Sequence, residues 1–77
     1  MEYMIIVRRP DVPGEQIVHS PTAAGWTHDT ATHWARVESN LPADSTIRIQ
    51  RRRGAGLFQP HRLYTVGEDG IVRRTDR

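Results

Sequence analysis

The sequence predicts an α+β two-layer sandwich, from short stretches of strand-like alternation, a lone helical stretch with an apolar stripe, and Pro/Gly punctuation between them. One amphipathic helix and one sheet must cover each other's apolar faces. The predicted order is β-β-α-β-β-β, with the helix over about residues 27–41 on a four- to five-stranded mixed or antiparallel sheet. With 77 residues the chain is expected to form one small domain, 1–77, because a chain of this size buries only about 60% of its unfolded surface in a single core. A deep pocket of about 300 to 1,000 Å³ would hollow out most of that interior. Function is therefore expected on the surface.

Residues 3–9 open the chain as a strand, with Tyr3, Ile5 and Val7 on one side and Met4, Ile6 and Arg8 on the other. Both sides are largely apolar, which fits a strand inside a sheet or one whose second face is covered by another element or subunit. Pro10-Asp11-Val12-Pro13-Gly14 then turns the chain, and Glu15 to Ser20 returns as the other arm of a hairpin. After Ser20-Pro21 and a loop through Gly25 comes the helix. Thr27 or Asp29 can cap it, and Trp34, Val37 and Leu41, at i, i+3 and i+7, form its apolar stripe. Pro42 is expected to stop it, since the residue before a proline is pushed out of the α region.

Thr46 to Arg53 alternates clearly, with Ile47 and Ile49 on one side and Arg48, Gln50 and Arg52 on the other. Gly54-Ala55-Gly56 breaks this strand, and Pro60 is expected to limit where pairing resumes. The segments Arg62 to Val66 and Ile71 to Arg74 flank Gly67-Glu68-Asp69-Gly70, a four-residue hairpin loop. An N-terminal hairpin leading into a helix and back to the sheet makes the order β-grasp-like, an analogy of topology alone.

The chain has no Cys, which removes disulfides, Cys-ligated zinc, iron–sulfur chemistry and thiolate nucleophiles. No apolar run approaches a membrane span or an export signal, so a cytoplasmic protein with no membrane partner is expected. Every basic residue is Arg, a usage that suits a high-GC genome as well as it suits phosphate recognition. Net charge is only +2, but it is unevenly spread. Residues 1–45 hold three Arg and six acids, a net of −3, whereas residues 46–77 hold eight Arg and three acids, a net of +5. Such a split points to an anionic partner.

The densest feature is Arg48-Ile49-Gln50-Arg51-Arg52-Arg53-Gly54-Ala55-Gly56, a basic strand running into a flexible turn. Outward positions on a strand recur about every 6 to 7 Å, a spacing that can follow a nucleic-acid backbone, and Arg binds phosphate bidentately. Arg62, Arg73 and Arg74 extend the patch if the last hairpin lies alongside. The plainer alternative is a charged sheet edge that resists aggregation. Leu57 and Phe58 follow the turn and serve either as a hydrophobic anchor for a partner or as core packing.

His28 and His33 are five apart and diverge on a helix, while Asp29 and His33, four apart, can meet as a surface polar pair. No metal site is implied. Trp34 belongs to the apolar stripe, and Trp26 either staples the helix entry or stays partly exposed. There is no nucleophile elbow, phosphate loop, dinucleotide fingerprint or paired-acid signature, so neither catalysis nor a cofactor is expected. Two functions follow as expectations. One is a binding module that grips nucleic acid through residues 48–53. The other is a protein-interaction module, such as a phage or mobile-element accessory protein that docks on an acidic host protein, or a homodimer formed through the two-sided strand.

Overall fold

The computed structural model describes residues 1–76. Five strands and one helical segment follow one another as β1 (Glu2–Arg8), β2 (Glu15–Val18), α1 (His28–His33) continuing into a π-helical turn (Trp34–Glu38), β3 (Thr46–Arg52), β4 (Gln59–Val66) and β5 (Val72–Arg74). This is a small α+β fold with the predicted element order. The strands form one sheet in the order β2-β1-β3-β4-β5, and every neighbouring pair is antiparallel. No helix among the described residues is long and apolar enough to cross a membrane.

Register decides which side chains meet. Ile5 lies opposite Ile49, Val7 opposite Ile47, and Ile47 opposite Tyr64, so apolar residues of three adjacent strands share one face. Ala31 and Ala35 of the helical segment join them in the buried cluster, each fully buried. Two alanines four residues apart let a helical backbone approach the sheet closely. The alternate strand residues Met4, Ile6, Arg48, Gln50 and Leu63 point the other way and stay partly exposed.

The helix differs from its expected form. It begins as foreseen: Thr27 Oγ1 accepts from the Thr30 backbone N–H, and Thr30 Oγ1 accepts in turn from the Thr27 N–H, closing a capping box. Replacing such a cap by alanine costs about 1 kcal/mol. We expect Thr27→Ala to lower stability by that amount, measured as a shift in the urea midpoint.

From Trp34 the hydrogen bonding widens to a π turn, and the segment ends at Glu38, short of Leu41. The π turn changes which residues line up. The inward row runs Ala31, Ala35 and partly buried Ser39, whose hydroxyl bonds the Ala35 carbonyl. Val37 is turned out and 68% exposed, so it is not part of the predicted stripe. Leu41 still packs on the core, but from the loop. Pro42 is not what ends the helix, because Asn40 already sits at φ 47, a left-handed conformation that Asn tolerates.

Pro60 also behaves differently from expectation. Pairing resumes at Gln59, ahead of the proline, and Pro60 lies opposite Gln50. A register shift between Ile49 and Gln50 places a bulge at this point. Because β5 pairs β4 only at residues 64–66, β4 has β3 as its single strand neighbour at Pro60, an edge position of the kind where proline is tolerated.

Candidate nucleic-acid interface

The arginines of β3 divide as the alternation predicts, with Arg48 and Arg52 on the face opposite Ile47 and Ile49. Their charge, however, is largely met. Antiparallel pairing of β1 with β3 sets Glu2 directly opposite Arg52, and Arg52 Nε donates to Glu2 Oε1 at 2.7 Å. Arg48 forms an ion pair with Glu15. Arg73 pairs with Asp69 at 2.9 Å, and Arg74 with Asp76 at 2.7 Å. Hydrogen bonds from these two guanidinium groups hold the Asp69 and Asp76 carboxyls at about 2, below the ordinary 3.8. The charge split along the chain is thus partly cancelled by folding, because the sheet lays acidic N-terminal residues against basic C-terminal ones.

Arg51, Arg53 and Arg62 have no carboxylate partner among the described residues. Arg51, Arg52 and Arg53 line one open cleft of about 490 Å³ at the β3–β4 turn, together with Met1 and Leu57. Gly54 lets the chain reverse here with φ 55, a conformation unfavourable for residues with a Cβ. Leu57 is 85% exposed at the rim of this cleft. Phe58 is partly buried but lies outside the hydrophobic core, and the Arg52 guanidinium sits over its ring at 4.5 Å. The pair Leu57 and Phe58 is therefore placed beside the basic turn rather than in the core.

Arg62 pairs with Ile49 and, by the regular alternation it shares with Tyr64, lies on the same side of the sheet as Ile49, away from Arg48 and Arg52. Its Nη1 donates to the Tyr64 hydroxyl at 3.3 Å, and Arg36 from the π turn lies 5.7 Å from the same ring. The seven arginines singled out by sequence are thus not one patch. Arg48, Arg52 and Arg73 share one face, Arg51, Arg62 and Arg74 belong to the other, and Arg53 stands at the turn.

One cluster escaped sequence reading. His28 Nδ1 and His61 Nε2 are 2.8 Å apart, joined by a hydrogen bond from the start of α1 to β4. Tyr3 of β1 packs edge-on against both, its ring centroid 5.5 Å from that of His61 and 6.3 Å from that of His28. One imidazole must donate and the other accept, so the bond requires at least one neutral ring. Burial pushes His61 below the usual imidazole value, and the nearby charges of Arg51, His28, Arg62 and Arg74 act in the same direction.

A base held neutral in the folded state loses stability on acidification. The unfolded chain takes up its proton near 6.5, whereas the folded chain resists until lower pH. His61 therefore contributes stability above about pH 6.5 that is lost as pH falls through its folded pKa. We expect the drop in urea midpoint between pH 7.5 and pH 5.5 to be smaller in His61→Gln than in the native chain. An equal drop in both would show that His61 does not govern this limb.

On the opposite flank of the helix His33 Nε2 lies 3.3 Å from Glu38, five residues on, a spacing the π turn brings together in place of the expected Asp29 pair. No group of three or more metal-ligating side chains occurs among the described residues. In comparisons with protein-family models, with curated proteins and with solved structures, nothing matches this chain.

Proposed function

We propose that the chain is a non-enzymatic nucleic-acid-binding module that grips phosphates at the β3–β4 turn. The observation that carries this reading is the convergence of Arg51, Arg52 and Arg53 on one open cleft, with two of the three free of a carboxylate partner among the described residues. Arg62, also without a carboxylate partner among the described residues, lies on the same side of the sheet as Arg51. Arg forks match phosphate geometry, and the exposed turn lets a polyanion approach without displacing packed side chains. Arg48 and Arg73 are assigned no phosphate contact, because each already holds an acid on the far face.

Binding of this kind is dominated by counterion release and weakens steeply with salt. Fluorescence anisotropy of labelled oligonucleotides at low and moderate salt tests it. Binding at low salt that fades with a linear log–log dependence is the expected result, and no binding at low salt would remove the reading.

A protein partner, including a second copy of the chain, is the second reading. It is favoured by Met4, Ile6, Ile17 and Leu63 on the sheet face away from Ala31 and Ala35, with Ile17 56% exposed. An apolar strip of this kind is an ordinary feature of interfaces. Light scattering that finds only monomer across a concentration series would count against self-association.

A further inference from the structure

Resting on the reading of the β3–β4 turn as a phosphate site, we propose that the ligand is single-stranded nucleic acid, with an unpaired base held in an aromatic cleft next to the arginines. This cleft arises from the way β2 ends. Val18 is the last residue of β2 and pairs with Ile5, so β1 continues through Tyr3 and Met4 without a β2 neighbour. The chain instead arcs outward from His19 and returns at Trp26, which bridges to Tyr3. Between strand and arc lies an open cleft of about 550 Å³, a size suited to a small planar ligand.

Tyr3, Trp26 and Phe58 line it, Tyr3 and Trp26 with their rings also packed against the core and Phe58 outside that core, and Ala23, Ala24 and Gly25 form part of its wall. Trp26 is fixed in place by donating its Nε1–H to the Val18 carbonyl at 3.0 Å. The basic cleft adjoins this one. Met1 lines both, and Arg52 of the basic cleft lies over the ring of Phe58 in the aromatic one. Glu2 is the one acid at the junction, and it is occupied by Arg52.

A base next to a run of phosphates is the repeating unit of a single strand. In a duplex the bases are stacked and paired, so their faces are not free to enter a cleft, whereas an unpaired base can lie on an aromatic side chain whatever its identity. The chemistry recognised is a π-face plus adjacent phosphate, with little demand on sequence.

The test compares a labelled oligothymidylate with its duplex by anisotropy at low salt, using the full chain. Affinity for the single strand at least about tenfold above that for the duplex is expected. Phe58→Ala should weaken single-strand binding by about tenfold or more, and Phe58→Trp, which keeps a stacking face, should restore it. Should Phe58→Ala fail to fold, as checked by circular dichroism, the native comparison of strand with duplex decides alone. Duplex bound as tightly as single strand, or Phe58→Ala as tight as native, overturns the aromatic cleft and leaves the phosphate site standing. Binding to neither overturns both.

Discussion

Ile49→Ala is expected to remove a large share of the stability of this fold. Ile49 is fully buried at the centre of the sheet, opposite Ile5 on one side and Arg62 on the other, within the cluster that includes Val7, Ile47 and Tyr64. Truncating a buried isoleucine costs about 2–5 kcal/mol, from lost transfer free energy and from the cavity left behind. At about 0.05–0.15 kcal/mol per residue, a chain of this length has only about 4–12 kcal/mol in total. The core has few other large side chains to close around the gap. Urea denaturation should show the midpoint falling steeply, with the slope unchanged if the transition stays two-state.

Val37→Ala supplies the contrast. A regular α-helix through Leu41 would place Val37 on the stripe with Trp34, and its truncation would then be a core substitution. The π turn instead leaves Val37 68% exposed, so the change is expected to stay within about 0.5 kcal/mol. A loss for Val37→Ala comparable with that for Ile49→Ala would mean that the helical register is wrong.

These two residues also mark where sequence reading succeeds and where it stops. The burial of Ile47 and Ile49, with Arg48 and Arg52 on the other face, was legible because side-chain direction in a strand has a period of two and needs no knowledge of partners. The helix start was legible for a similarly local reason, since the Thr27 cap lies within three residues of its partner Thr30. The π turn was not. Its inward row of Ala31, Ala35 and Ser39 is composed of small residues, which carry a weak periodic signal beside the louder Trp34 and Val37.

The site was legible only in part, because its electrostatics depend on long-range register. Glu2 and Arg52 are far apart in the chain yet meet in the β1–β3 ladder, and Arg48 finds Glu15 across the same sheet. A count of charges along the sequence cannot see such cancellation. The bond between His28 and His61 depends on where α1 starts over the sheet and on the bulge between Arg62 and Pro60 that takes up His61. Neither histidine has a local sequence signature that would reveal the pairing. Density of Arg at residues 51–53 is visible in the sequence; that Arg51 and Arg53 have no carboxylate partner among the described residues while Arg48 has one required the fold.

The unpaired arginines lead to the second large effect, on binding. The double substitution Arg51→Gln, Arg53→Gln should weaken nucleic-acid affinity on the order of a hundredfold at low salt, taking each charge-assisted phosphate contact as about tenfold. It should also change how binding responds to salt. Each phosphate neutralised on a single strand contributes about 0.7 to the slope of log K against log salt, so losing two should flatten the slope by about 1.4. Both side chains are exposed and neither takes part in an ion pair among the described residues, so stability should be nearly untouched. Arg73→Gln removes the same kind of charge from β5, where Arg73 lies opposite Thr65 and is engaged by Asp69, away from the turn. If affinity depended only on net charge, Arg73→Gln would cost half as much as the double substitution on the logarithmic scale. If it depends on the cleft at the β3–β4 turn, Arg73→Gln should leave both affinity and salt slope close to native, because a guanidinium already held by a carboxylate releases few counterions when it leaves.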